Sequence, residues 1–261
     1  QKMLHATQET DKIAYPIHIK LDTGMHRLGF QEAEIEMLCA ELQRQKYMKV
    51  VSAFSHLSGS EEPELDDFTK RQAESFHKMC AQLKHELGYS FLMHLCNSSG
   101  IVRHPELHFD MVRLGIGLHG VDGTQTIASK LKHVSRLKTI ISQIKSVPLS
   151  ETVGYNRKGI LHRDTRIGTV CIGYADGIPR RLGNGKGFML VQGKKVPIVG
   201  NVCMDMCMLD ITDLEDVHEG ETVLVFGEEL PVSELALWAE TIPYEILTGI
   251  SQRVKRLYYE E

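Results

Sequence analysis

A chain of 261 residues, 42% apolar and 25% charged, is long enough for one large or two modest globular domains, each with a core of its own. Thirty basic side chains stand against 34 acidic ones, a net charge of −4, so nothing in the balance points to a nucleic acid or another polyelectrolyte partner. No apolar run approaches the roughly 18 residues of a membrane span, and the opening residues carry no apolar signal core, which leads us to expect a cytoplasmic protein. The six cysteines (39, 80, 96, 171, 203 and 207) follow neither a disulfide nor a zinc spacing. Cys203 and Cys207, four apart in an apolar segment, read more readily as strand filler than as metal ligands.

In chain order, Tyr15–Leu21 is a short apolar strand, and Glu32–Lys46 carries Ile35, Leu38, Cys39 and Leu42 at helical spacing. Val50–Phe54 reads as a second strand, Phe68–Leu87 as a long amphipathic helix and Phe91–Leu95 as a third strand. A short helix follows Ser98, and Phe109–Leu114 reads as a fourth strand. This alternation argues for parallel strands with helical crossovers. After about Lys132 the texture changes to closely spaced strands broken by Gly, Asn and Asp turns, such as Leu182–Gly187 and Gln192–Lys195, and this predicts an antiparallel β domain. One helix is expected from Pro231 to Trp238, capped by Ser233. The expected class is therefore α/β plus all-β. A partial (β/α) barrel over residues 1–125, the second half of a (β/α)8 TIM barrel, is followed by a C-terminal, mainly antiparallel β domain over 126–261. Half a barrel has two unpaired edges, which implies that further residues or another chain complete the sheet.

Residues able to carry chemistry gather just after the predicted strands, where α/β barrels place their sites. Lys20 to Gly29 (KLDTGMHRLG) sets Arg27 in a loop where it can clamp an anionic oxygen, or simply lie on the surface. Ser55-His56 follows the second strand. Asn97-Ser98 opens the helix after the third, either as a phosphate cradle or as an ordinary helix cap. The fourth ends in Arg113, and Gly115 and Gly117 follow as glycines that let a flat ligand approach the backbone. In the β domain, Tyr155 and Tyr174 follow glycines and Met204 follows the turn at Gly200; taken alone, each reads more readily as a packing residue.

As an ordered set, these segments resemble the motif series of the alanine racemase family. The set is Lys20–Gly29, Asn97-Ser98, Arg113-Leu-Gly115, Gly154-Tyr155, Ile172–Gly177, Gly200–Asp205 and Ile242–Glu245, and it covers essentially the whole chain. The resemblance implies a fold-type III enzyme that uses pyridoxal 5'-phosphate to interconvert L- and D-alanine, supplying D-alanine for peptidoglycan. It also implies a homodimer with shared active sites. By that carry-over Ser98, Gly115 and Ile116 hold the phosphate, and Arg113 meets the pyridine nitrogen and keeps it unprotonated. Tyr155, contributed across the dimer, is one of two opposed bases, and His56 links it to Arg113. A phenol needs cationic or hydrogen-bonding neighbours for that task. Arg27 and the backbone of Met204 bind the substrate carboxylate. Lys20, carbamylated in many relatives, orients Arg27, while Tyr174 and Tyr244 line the substrate's approach.

The chain departs from the family at His26, usually glycine, at Leu114, often proline or phenylalanine, and at His119, commonly tyrosine. The lysine that bonds the cofactor, expected on the first barrel strand in a Lys-Ala-Asn-Ala-Tyr-like motif, is not found. Lys20 belongs to a later strand. The expectation is that the activity belongs to a longer parent protein and that this polypeptide is inactive alone. A related racemase acting on serine or on several amino acids would share these motifs, a decarboxylase is disfavoured by them, and a non-catalytic assembly module would exploit the open edges.

Overall fold

The computed structural model describes residues 2–10 and 12–259. Contacts divide the chain into two compact units, one of residues 1–118 and 122–131, the other of 119–121 and 132–261.

The first unit begins with helix α1 (Lys2–Glu9) and continues through strand β1 (Tyr15–Lys20), helix α2 (Ile35–Gln43) and strand β2 (Met48–Phe54). Helix α3 (Asp66–Leu87), strand β3 (Leu92–His94) and helix α4 (Ser98–Arg103) follow. The three strands form a parallel sheet in the order β1-β2-β3, as the alternation of strand and helix requires. Alternation along each strand sorts the faces. Ile17 and Ile19 turn toward a core that includes Ile35, Phe76, Met79 and Leu83, while the intervening His18 and Lys20 lie on the opposite face. Helix α3 ends where Gly88, at φ 71°, takes the left-handed cap that a Cβ would disfavour.

The expected fourth strand, Phe109–Leu114, is reduced to a single parallel bridge between Met111 and His94. Phe109 sits at φ 50°, outside the extended region, and the Asp110 carboxylate accepts the Met93 N–H at 2.8 Å in place of a backbone carbonyl. The segment still follows β3, through Asp110 N–H to Met93 O (3.1 Å) and Arg113 N–H to Cys96 O (3.0 Å).

In the second unit, β4 (Leu137–Val147), β7 (Thr165–Val170), β8 (Phe188–Val191), β9 (Lys194–Val199), β10 (Cys207–Asp210) and β11 (Thr222–Phe226) close an antiparallel barrel in the order β10-β7-β4-β11-β8-β9. The small pair β5 (Thr152–Val153) and β6 (Gly159–Ile160) stands apart. Gln192 and Gly193, at φ 49° and 74°, make the two-residue hairpin that their sequence predicts between β8 and β9. Helix α5 (Val232–Trp238) forms, but Pro231 takes the cap position and Ser233 lies inside the helix, so Ser233 caps nothing. A second helix, α6 (Pro243–Gly249), starts with proline in its first turn, where a missing N–H costs no hydrogen bond. Its first residues had been read only as a motif.

Candidate active site

Arg113 is held by four hydrogen bonds through its terminal nitrogens. One terminal nitrogen donates to His94 Nδ1 (2.9 Å) and His94 O (3.1 Å), and the other to Ser55 O (2.6 Å) and Leu95 O (3.0 Å). Those contacts use all four terminal hydrogens. The Nε–H has no partner among the described residues, and no carboxylate neutralises the charge. Burial lowers the guanidinium's affinity for its proton without bringing it near neutrality.

Phe54, at the end of β2, is the platform beneath this group. His94 stacks on its ring at 5.1 Å, and Arg113 and Lys20 lie over it at 5.4 and 5.8 Å. The clustered cations have a cost that the imidazoles and the amine register. Burial first, then the Arg113 charge, pushes His94 down to about 4. Burial followed by Arg113, Arg27 and Lys20 lowers His56, and burial followed by Arg27 lowers Lys20 against the opposing pull of Asp22. At neutral pH both imidazoles are proton acceptors.

Ser98 marks a second focus. Its Oγ accepts the N–H of Gly115 at 2.9 Å and of Gly117 at 3.3 Å, while Asn97 caps α4 by accepting the Gly100 N–H at 2.9 Å. A Cβ at Gly115 would meet that hydroxyl at an ordinary contact distance of 3.5 Å. The Ser98 hydroxyl hydrogen, two N–H groups that converge on its oxygen and could turn to an anion, and the guanidinium two residues before Gly115 make a donor set that suits a phosphate joined to a ring bearing an unprotonated nitrogen.

The loop after β1 is tied at its base by Asp22 N–H to Phe30 O (2.8 Å) and Phe30 N–H to Lys20 O (2.9 Å). Gly29, at φ 120°, lies where a Cβ would strike the Asp22 backbone at 2.8 Å. Inside the loop, burial raises the Asp22 carboxyl, but the N–H groups of His26 (3.0 Å) and Gly24 (3.1 Å) outweigh it and leave the group below its ordinary range. His26 sits at φ 54°, a left-handed conformation that glycine adopts more easily, and its Nδ1 lies 3.2 Å from Asp22. Arg27 emerges from this loop exposed.

Lys20, His56, Ser98, Arg113, Gly115 and Ile116 thus fall in one unit at successive strand ends, with Arg27 on the adjoining loop. Tyr155, Tyr174, Met204 and Tyr244 belong to the other unit and are 69%, 45%, 55% and 51% exposed. There Tyr155 follows Gly154 at φ 78°, and its carbonyl accepts from Asn201 Nδ2 at 3.2 Å. Tyr174 N–H and Ala175 N–H donate to Cys203 O and Met204 O, both at 3.0 Å, whereas the Met204 N–H has no partner among the described residues. Cavities of about 500 Å3 and 270 Å3 occur in this unit; Tyr174 lines the smaller one, and neither includes a strand-end residue of the first unit.

Three supporting residues were missed in the sequence. His94 and Ser52 sit on the inner face of the sheet, a placement that strand alternation could have signalled. Gln72, fully buried on α3, receives the Ser58 N–H (3.1 Å) and donates to His56 O (3.2 Å), so it holds the loop carrying His56. Its signal is a polar residue inside the helix's apolar stripe. Cys207 Sγ donates to Ile172 O at 3.0 Å, and Cys203 Sγ lies 3.6 Å from Asn201 O.

Residues 1–123 match the family described as "Alanine racemase, N-terminal domain", and residues 134–258 match "Alanine racemase, C-terminal domain". An alanine racemase from Symbiobacterium thermophilum is 38% identical over 248 residues, which is 93% of this chain and 65% of that protein. One from Thermodesulfovibrio yellowstonii is 36% identical over 253 residues, 95% of this chain and 66% of the relative. The chain therefore spans somewhat under two thirds of the length of these relatives. The crystal structure of an alanine racemase from Bartonella henselae, with covalently bound pyridoxal phosphate, superposes with a TM-score of 0.88 at 32% identity over 99% of this chain and 70% of that one. That of the enzyme from D-cycloserine-producing Streptomyces lavendulae gives 0.92 at 30% identity, covering 100% of this chain and 70% of its own. With both family domains matched along nearly its whole length, the chain belongs to the alanine racemase family.

Proposed function

We propose that this chain is the cofactor-phosphate and ring-nitrogen part of a pyridoxal phosphate-dependent alanine racemase that interconverts L- and D-alanine. The observation that carries the reading is Arg113, whose terminal hydrogens are all engaged and whose Nε–H is left, in the same unit as the Ser98 hydroxyl on which the Gly115 and Gly117 N–H groups converge. Residues 1–125 would contribute the later strands of a (β/α)8 barrel and 126–261 the β domain. The open edges of the three-stranded sheet support this.

When bound, pyridoxal phosphate supplies an electron sink that makes the α-proton of alanine removable. Ser98, Gly115 and Ile116 would hold the phosphate through a hydroxyl and backbone N–H groups. Arg113 would face the ring nitrogen; because an arginine does not give up its proton, it would leave that nitrogen unprotonated and the sink weak, which would favour return of the proton to Cα. Arg27 would bind the substrate carboxylate, a role to which the family resemblance adds the Met204 N–H. Lys20 beside Arg27 orients it, and its lowered proton affinity supports carbamylation of the amine. Tyr155 of a second subunit would move the proton on one face of Cα, assisted by His56, which burial and then the surrounding cations keep neutral and accepting. Tyr174 and Tyr244 border the approach. The lysine that bonds the cofactor and serves as the opposed base would come from residues beyond those given, so this polypeptide alone would be inactive. The assembled homodimer would work in the cytoplasm, apart from membranes and nucleic acids, and feed D-alanine to peptidoglycan.

The test is D/L-alanine interconversion with added pyridoxal phosphate, comparing this chain with the longest natural reading frame that contains it and offering serine in parallel. Activity in the longer protein alone supports the reading. Activity in this chain alone overturns the lysine assignment, preference for serine overturns the substrate, and inactivity of both overturns the racemase.

A further inference from the structure

The inner faces of barrel strands ordinarily carry branched apolar side chains, yet here His18 of β1, Ser52 of β2 and His94 of β3 lie hydrogen-bonded in a row that ends on Arg113. His18 Nδ1 lies 2.5 Å from Ser52 Oγ, which lies 3.1 Å from His94 Nε2, and His94 Nδ1 lies 2.9 Å from Arg113 Nη1. Ser52 is fully buried and His94 is 6% exposed, whereas His18 reaches the open face. A register shift between Ile17 and His18 sets His18 directly opposite Ser52.

The donors in this row can point only one way. A guanidinium has hydrogens and no acceptor, so His94 Nδ1 must be bare and its proton must sit on Nε2. The Nε2–H then donates to Ser52 Oγ; among the described residues that buried hydroxyl has no acceptor but His18 Nδ1, so its own hydrogen goes there and His18 carries its proton on Nε2 as well. Serine suits the middle position because a hydroxyl accepts and donates at once. An alanine there would leave the His94 Nε2–H without an acceptor in a buried site.

We propose that Ser52 is a positioning residue for Arg113: it completes a one-way hydrogen-bond chain, Arg113 to His94 to Ser52 to His18, that locks both histidine tautomers and immobilises the guanidinium. Its consequence for catalysis rests on the racemase reading, because an immobile guanidinium holds its remaining Nε–H toward one ligand position. The chain itself does not depend on that reading.

The experiment is nitrogen-15 NMR of the histidine rings and the Arg113 guanidinium in this chain at pH 8, with Ser52→Ala and Ser52→Thr beside the wild type. We expect His94 and His18 each to be a single Nε2–H tautomer in the wild type. In Ser52→Ala the Arg113 terminal N–H groups should exchange with solvent about tenfold faster, as befits loss of one supporting hydrogen bond, and Ser52→Thr, which keeps the hydroxyl, should restore them. A His94 found with its proton on Nδ1, or Arg113 exchange unmoved by Ser52→Ala, overturns the proposal. In the longest reading frame loaded with pyridoxal phosphate, Ser52→Ala should lower kcat for alanine about tenfold with little change in KM. An inactive wild type with the NMR signatures in place overturns the racemase reading while the chain of bonds stands.

Discussion

Acid should loosen the first unit through His94. The ordinary value of a histidine is 6.5, and in the folded chain His94 is pushed down to about 4. Between those values the unfolded state binds a proton that the native state refuses, so stability rises with pH across the window. The contribution is complete above about pH 6.5 and is lost as pH falls toward about 4. The gap of 6.5 − 4, about 2.5 units at 1.36 kcal/mol per unit, sets a ceiling of about 3.4 kcal/mol. Water reaching the open face of the sheet reduces this to about 2 kcal/mol. His94→Asn isolates the term, because an asparagine oxygen can take the Arg113 hydrogen in place of Nδ1 and does not titrate. Urea unfolding at pH 7 and pH 4.5 should show the variant losing about 2 kcal/mol less than the wild type. The single tryptophan, Trp238, belongs to the second unit, so the first must be followed by exchange of the β2 and β3 amides. Equal losses in the two proteins, or a His94 ring titrating near 6.5 by NMR, would refute the reasoning.

Three further perturbations test the supports of the site. Gln72→Leu removes the donor and acceptor that hold Ser58 and the His56 carbonyl, and should destabilise the first unit by about 2–4 kcal/mol while speeding exchange of the Ser58 amide. Phe76→Ala empties a fully buried position beneath the sheet and should cost about 3–5 kcal/mol by urea unfolding read at the α3 amides. Gly173→Ala would place a methyl 2.4 Å from both Cys203 O and Met204 O. The loop carrying Tyr174 and Met204 must then shift, and a loss of about 1–3 kcal/mol should lower the Tm read by Trp238 fluorescence.

The features legible in the sequence were those written in periodicity and turn chemistry. Ile35, Leu38, Cys39 and Leu42 sit at helical spacing and are buried on α2, and Gln192-Gly193 has the residue types that a tight hairpin demands. Phe109–Leu114 misled because its composition is that of a strand, while the break comes from one left-handed residue and one aspartate that replaces a ladder acceptor. Helix α6 was hidden because proline, so often a breaker, here opens the first turn. At the site, Lys20, His56, Ser98 and Arg113 could be found as chemically able residues just past strands. What holds Arg113 could not, since three of its four bonds go to backbone carbonyls and the imidazole at its side comes from a strand read only as apolar.

The most direct test of the central claim is solvent deuterium incorporation at Cα of L- and of D-alanine, catalysed by the longest reading frame containing this chain with pyridoxal phosphate, with and without Tyr155→Phe. With two opposed bases, the wild type should exchange both enantiomers, and the variant should lose exchange with one far more than with the other. Equal exchange of both enantiomers by wild type and variant would contradict the role given to Tyr155, and no exchange by the cofactor-loaded wild type would contradict the racemase itself.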